Sequence, residues 1–293
     1  MASLRDIKRK ISSIDSTQTI TRTVKMVSAS KLRKAQTELD KTKAYAMKME
    51  DLVRRVVKKL PSESHPLLTP REEINKVLIV SIASDRGLAG AFNTNICLAA
   101  ENFIHQNSSK YERMAVYIVG KKAKDYLSRR KVDIIKDWAD VKKVDQDLVD
   151  QIADELIGLY MDGSFDKIYL SYTHFQSAVK QIIMFDEFVP LSMSEEELAE
   201  GQEEDSGDYL YEPTIDKIVD VLIPKYISTK IYYALVESQA SEHAARMAAM
   251  ENATSNCGEM VRYLTLVYNK RRQESITNEM MDIVGGAEAL RGT

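Results

Sequence analysis

The chain has 293 residues, 44% hydrophobic and 29% charged, an ordinary balance for a soluble protein with a real core. No apolar run approaches the roughly 18 residues of a membrane-spanning helix, and two cysteines, Cys97 and Cys257, are too few for a disulfide framework or a cysteine-rich metal site. The net charge of −3 hides a partition: 16 Lys/Arg against 6 Asp/Glu in residues 1–60, 17 against 30 in 61–224, and 8 against 8 in 225–293.

Residues 1–60 read as one long helix. Ser3-Leu4-Arg5-Asp6 resembles a capping box, and no glycine or proline follows until Pro61. Leu4, Ile7, Ile11 and Ile14 open a seam of alternating three- and four-residue steps, and Gln18 and Thr21 extend it with polar groups. After a shift the seam resumes at Leu32, Ala35, Leu39, Thr42, Ala46, Met49, Val53, Val56 and Leu60. That is the period of a left-handed coiled coil. A basic arm can mark nucleic-acid binding. This one carries a single aromatic, Tyr45, so it lacks stacking platforms for bases. A helix face that meets an acidic protein partner is the reading adopted, with no nucleic acid. A helix pattern from residue 3 gives the expectation of no removable presequence.

Residues 61–75, with Pro61, Pro66 and Pro70, read as a linker. All six prolines lie between 61 and 224, so the middle is the folded insert and the termini are uninterrupted helices. Lys76–Ala83 is a buried strand of the kind found in parallel sheets. Helix patterns at 91–106, 121–130 and 148–159 alternate with strands at 114–119, 132–135 and 168–173. A last extended strand covers 179–189. The alternation predicts an α/β layer with a mainly parallel sheet, residues 76–222, able to fold by itself over 70–222. The acidic run from Glu195 to Asp208 reads as a solvated loop, and Ile215–Leu222 as a short helix.

The last element, 223–293, is a second long helix from Ile223-Pro224-Lys225 to Val284-Gly285-Gly286. At about 60 residues it would span roughly 90 Å. Pro224 suits a first turn and Gly285-Gly286 a stop. Its seam is Val236, Ala240, His243, Met247, Met250, Thr254, Cys257, Val261, Leu264 and Tyr268, with small side chains around Ala244–Met250. One helix runs into the insert and the other out of it, so if they pair they pair antiparallel.

Candidate chemistry is thin. Ser84-Asp85-Arg86-Gly87-Leu88-Ala89-Gly90 follows a strand and opens a helix, where a phosphate loop would sit. The glycine spacing is not that of a dinucleotide site, no Gly-Lys-Ser/Thr occurs, and the second strand ends at Gly120-Lys121-Lys122 without a ribose-binding acid. The reading adopted is a tight turn that lets the helix pack on the sheet. His65, His105, His174 and His243 have no metal-ligand spacing. His243 reads as packed, the two cysteines as buried thiols, and Met247–Met250 as core. No catalytic, cofactor or metal residues are assigned. A dinucleotide-dependent enzyme would leave the two long helices unexplained. A generic coiled-coil adaptor would fit the helices alone.

The C-terminal run Tyr268-Asn269-Lys270-Arg271-Arg272-Gln273-Glu274-Ser275-Ile276-Thr277-Asn278-Glu279, continued through Gly286-Ala287, resembles the signature of the ATP synthase gamma subunit family. Its pattern is filled by Ile276, Thr277, Glu279, Asp282, Gly286 and Ala287. Leu4–Ile11, Thr17–Thr21, Lys25–Leu32 and Asp85–Gly90 resemble the same family. The resemblance implies a non-catalytic rotor stalk with a Rossmann-like insert that binds no nucleotide. It implies as partners three alpha and three beta subunits, an epsilon subunit and the c-ring of the membrane sector. The charge of the acidic loop 195–208 and its place before the second long helix give the expectation that it approaches basic loops of the c-ring or of epsilon. The resemblance implies beta-subunit contacts at Arg272, Gln273, Thr277 and Glu279, with Arg9 and Lys10 as further partner contacts. The location implied is peripheral, on the cytoplasmic side of a bacterial cell membrane. The regulatory cysteine pair of the chloroplast branch has no counterpart here, so thiol control is not implied.

Overall fold

The computed structural model describes residues 3–60, 65–141, 144–191 and 214–291. In chain order its elements are α1 (Leu4–Lys58), β1 (Lys76–Ile82), α2 (Phe92–Asn107), β2 (Arg113–Val119), α3 (Lys121–Leu127, followed by a 3₁₀ turn), β3 (Asp133–Trp138), α4 (Gln146–Met161), β4 (Lys167–Phe175), β5 (Gln181–Val189) and α5 (Ile215–Arg291). The acidic run 195–208 and part of the 61–75 linker lie outside the described residues. Contacts divide the chain into two units, Met1–Ser28 with Met247–Thr293, and Ala29–Arg246.

The first unit is a helix pair. α1 opens with the anticipated capping box: Ser3 N–H donates to Asp6 Oδ2 at 3.1 Å, and Asp6 N–H donates to Ser3 Oγ at 3.2 Å. The Ser3 hydroxyl also donates to Asp6 Oδ2 at 2.8 Å, and this bond, then that from the Ser3 N–H, holds the Asp6 carboxyl below its ordinary pKa. The helices run antiparallel. Gln18 Nε2 donates to the Thr254 carbonyl at 3.1 Å, the Thr21 and Thr254 hydroxyls share a 2.7 Å bond, and Lys25 pairs with Glu251. The seam positions Thr254, Cys257, Val261, Leu264 and Tyr268 are half-buried, and the same steps continue to Arg271 and Ser275.

The expected shift in the first seam does not occur. Lys25 and Ser28 are half-buried or buried and bridge Thr21 to Leu32 in unbroken three- and four-residue steps. An apolar-only reading skips them because Lys25 is charged. The ion pair with Glu251 lets that lysine occupy a seam position.

The last helix also differs from expectation at both ends. α5 begins at Ile215, so the short helix and the long one are a single element and Pro224 lies inside it. An interior proline removes one backbone donor and crowds the carbonyl four residues back. Ile223, Tyr226 and Ile227 around it are 0–2% exposed, so tertiary packing carries the helix through. Gly285 and Gly286 do not stop it either, since it continues to Arg291. A helical glycine costs about 1 kcal/mol, which weakens a helix without ending it.

The second unit holds a five-stranded sheet of order β3-β2-β1-β4-β5. β1 pairs parallel with β2 and β4, β2 with β3, and β5 closes the edge antiparallel to β4. Val77, Leu78, Ile79 and Val80 are at most 1% exposed, as a strand covered on both faces requires. One face packs on α2 and α3 through Ile79, Ile96, Ile118 and Leu127. The other face, through Leu78, Val80 and Leu170, packs on α4 and also on Val53 and Val56 of α1 and Val219, Ile223, Ile227 and Ile231 of α5.

That second face changes one expectation. Residues 70–222 lack the α1 side chains and most of the α5 side chains that cover it. We expect an excised 70–222 fragment to show no cooperative thermal transition, because each uncovered core side chain forfeits about 2 kcal/mol of burial. An excised 29–246 fragment should melt cooperatively, and calorimetry on both distinguishes them.

Candidate interaction surfaces and the closed strand-end crevice

In an open α/β sheet, ligands sit beyond the carboxyl ends of the strands where the strand order reverses. Here the reversal lies between β1 and β4. Their pairing ends at Ser81 opposite Ser171, which leaves the next β4 backbone groups without a strand partner on the β1 side. α5 supplies the partners. Thr173 N–H donates to Ser238 Oγ at 3.2 Å, and Ser241 Oγ donates to the Thr173 carbonyl at 3.1 Å. A helix therefore takes the seat a nucleotide would need, and the space remaining beside it, at the ends of β1 and β2, is about 70 Å³. Ligand pockets usually need about 300 Å³ or more.

The glycine loop is closed by its own bonds. Ser84 N–H donates to Asn93 Oδ1 at 2.9 Å, and Ser84 Oγ donates to the Arg86 carbonyl at 2.7 Å. Gly90 has φ of 57°, the left-handed conformation a tight turn demands. Asp85 Oδ1 accepts from the backbone N–H of Lys121 at 2.8 Å and of Asp140 at 3.0 Å. The first amide of α3 is thus spent on an internal carboxylate. The turn reading of this loop agrees with the geometry.

Arg246 ties the loop to α5. Its Nε donates to the Gly87 carbonyl at 3.1 Å, and Nη2 donates to the Arg86 and Gly87 carbonyls at 3.3 and 3.1 Å. Nη2 also stands 2.6 Å from Glu242, and Nη1 lies 3.4 Å from His243 Nδ1. Burial, then the charges of Arg246 and Lys31, hold the His243 imidazole down to about 4. It is neutral near pH 7, in accord with its reading as a packed seam residue.

The sign of the resulting pH dependence follows. The folded-state pKa of His243 lies below the ordinary value of about 6.5, so its contribution is complete above that value and is lost as pH falls toward 4. We expect the wild type to lose about 3 kcal/mol more than His243→Gln between pH 7 and 4. Burial raises the Glu242 carboxyl, which acts in the opposite sense. Urea titrations of both proteins across the range isolate the histidine, because Glu242 is common to them.

The anticipated partner residues all lie in the helix-pair unit. Arg272, Gln273, Thr277 and Glu279 are exposed on α5, and Arg9 and Lys10 are exposed on α1. Gln273, Thr277, Met280 and Val284 share one face, and the Thr277 hydroxyl donates to the Gln273 carbonyl at 2.9 Å. Arg272 and Glu279, seven residues apart, share another. Arg9 and Lys10 stand on α1, the other helix of the pair.

Sequence reasoning missed the apolar side chains around them. Tyr263 (63%), Leu266 (70%), Met280 (62%), Met281 (66%) and Ile283 (72%) are exposed. Their signal was an apolar residue outside the three-four seam of a helix whose in-chain partner ends near residue 4. Cys97 is buried and its thiol is pushed up to about 12, mainly by burial. Cys257 is only half-buried, which corrects its reading as a buried thiol. No helix among the described residues is long and apolar enough to cross a membrane, and no three His, Cys, Asp or Glu among them gather as metal ligands.

These features have close counterparts among known proteins. Residues 3–290 match the profile of the family described as ATP synthase. The ATP synthase gamma chain of Moorella thermoacetica is 41% identical over 293 residues, covering 99% of this chain and all of that one. The gamma chain of Anaeromyxobacter dehalogenans is 41% identical over 295 residues with the same coverage. A chain in the Tetrahymena thermophila mitochondrial ATP synthase central stalk and c-ring aligns with TM-score 0.59 at 26% identity, over 80% of this chain and 99% of that one. A chain in the Euglena gracilis mitochondrial ATP synthase has the same fold, with TM-score 0.67 at 22% identity over 98% and 94%. A full-length match at this identity, on two long terminal helices around a sheet whose ligand crevice is closed, leaves one assignment: the chain belongs to the ATP synthase gamma chain family.

Proposed function

We infer that the chain is the central rotor shaft of an ATP synthase and couples proton flow through the membrane sector to conformational change at the catalytic subunits. It catalyses nothing itself. The observation that carries this is the stretch of α5 from Ile276 to Val284. Every described side chain there is exposed, including Ile276 (48%), Met280 (62%), Met281 (66%), Ile283 (72%) and Val284 (55%). An apolar helix end of this kind needs a surrounding partner. A ring of alternating alpha and beta subunits, three of each, supplies one. A single asymmetric helix cannot present the same face to three equivalent sites. Its rotation therefore biases each beta subunit in turn through differential contact energy.

On this reading 76–222 is the core of the foot, beside the epsilon subunit and on the c-ring, and the helix pair of the first unit is the shaft. The chain is then a peripheral part of a membrane-bound complex, on the cytoplasmic side of a bacterial membrane. A tagged chain should co-purify with alpha and beta subunits. Membranes reconstituted without it should retain nucleotide binding and lose ATP-driven proton pumping. Co-purification of no nucleotide-binding ring would overturn the reading.

Arg272 and Gln273 are the proposed ring contacts with the largest reach, and Thr277, Glu279, Arg9 and Lys10 are secondary ones. The guanidinium is a planar multi-donor group, and the amide both donates and accepts. Truncating one partner of such a contact costs about 2–5 kcal/mol. We expect Arg272→Ala and Gln273→Ala to lower coupled ATP turnover or ring assembly while leaving the melting of the isolated chain unchanged. Steady-state ATPase and proton-pumping assays read the effect, and wild-type values in the double mutant remove both residues from the interface.

A further inference from the structure

The α1 seam of the first unit turns polar after Ile14, at Gln18, Thr21, Lys25 and Ser28. Apolar side chains in these places would bury more surface. Polar ones cost the pair some stability and give direction instead, because a hydrogen bond tolerates less sliding and rotation than an apolar contact does. The directional contacts converge on one turn of α5. Gln18 Nε2 donates to the Thr254 carbonyl at 3.1 Å. The Thr254 hydroxyl lies 2.7 Å from the Thr21 hydroxyl and 2.7 Å from the Met250 carbonyl, and the Thr21 hydroxyl lies 2.9 Å from the Gln18 carbonyl. A chain of hydroxyls thus joins the backbone of one helix to that of the other.

Gly258 makes this approach possible. It is the only glycine between Pro224 and Gly285, and it lies inside α5, where glycine is the least favourable residue after proline. What it supplies is space, since an added Cβ would stand 2.9 Å from Gln18 Nε2. The position is also the one that matters for the Thr254 carbonyl. A helical carbonyl accepts from the N–H four residues on, so the side chain at 258 would stand over it. With glycine there, the second lone pair of that carbonyl stays open to a donor from outside the helix.

We propose that Gln18 and Gly258 are positioning residues of the helix pair. The Gln18 amide, seated in the notch that Gly258 leaves beside the Thr254 carbonyl, fixes the rotational phase of α5 against α1. On the rotor-shaft reading, on which this part rests, a load taken at the exposed end of α5 is passed to α1 at this contact.

The first arm of the test uses the full chain with Cys97→Ala and Cys257→Ala as parent. Spin labels at Arg22→Cys and Asn269→Cys, exposed positions on the two helices, report the distance distribution across the pair. Gln18→Ala and Gly258→Ala should each broaden it about twofold, and the double variant no further, because both remove the same contact. Gly258→Ala should melt no lower than the parent, since alanine is the better helix former. A glycine that served only as a soft point in α5 gives the opposite result, a narrower distribution in Gly258→Ala. That outcome overturns the proposal, and so does broadening that adds up in the double variant. In the second arm, synthase reconstituted with either variant should keep its ATPase and pump about twofold fewer protons per ATP. Broadened distances with full pumping overturn the part that concerns load. The distance arm uses the chain alone, so it stands or falls separately from the rotor reading.

Discussion

Gly120→Ala is expected to destabilise the second unit by about 4 kcal/mol, the combined scale of a forbidden backbone conformation and an overpacked contact. Gly120 has φ of 105°, which L side chains rarely adopt, and an added Cβ would stand 2.2 Å from the Ala83 carbonyl oxygen. Neither atom can retreat. Gly120 N–H donates to the Trp138 carbonyl at 2.7 Å, and Ala83 N–H donates to the Val119 carbonyl at 2.8 Å, so β1, β2 and β3 are locked at their ends. Two other glycines serve as controls. At Gly87 an added Cβ meets only the tip of Lys122 at 3.8 Å, and at Gly158, inside α4, it meets nothing within 4 Å. Gly87→Ala should be nearly neutral, and Gly158→Ala should stabilise by about 1 kcal/mol through helix propensity. Urea unfolding of the three variants gives the ranking, and a neutral Gly120→Ala would mean that the strand ends are not locked.

The second large effect is expected at Arg246. Arg246→Met should cost about 3–5 kcal/mol, because it strands a buried carboxylate and orphans the loop carbonyls at once. The Arg246 and Glu242 side chains are 10% and 17% exposed, so water replaces little of what is lost. Arg246→Lys keeps the charge but not the fork that reaches Arg86 and Gly87 together, and it should recover only part of the loss. The double variant Arg246→Met with Glu242→Gln should be more stable than Arg246→Met alone, since the stranded charge is gone. Additive losses in that cycle would remove the ion pair from the account and leave only the loop hydrogen bonds. The consequence for the rotor is mechanical. Arg246 is the last residue of the second unit on α5, and within that unit it fixes the loop to the helix.

What the sequence alone determined was whatever repeats or alternates. The three-four seams identified α1 and α5 because a buried helix stripe must recur at that period. The β-branched run Lys76–Ile82 identified a strand covered on both faces, and the strand positions fell within a few residues of those observed. The signature around Ile276–Ala287 identified the family. Other features depended on where side chains meet. Pro224 looked like a helix start because local chemistry favours that, and only the burial of Ile223 and Ile227 on the sheet lets the helix run through it. Lys25 looked like a break in the seam until Glu251, more than two hundred residues away, appeared opposite it. The glycine loop remained ambiguous for the same reason. Whether it holds a phosphate or closes on itself is decided by Ser238, Ser241 and Arg246 from a distant helix, and no local spacing encodes their approach.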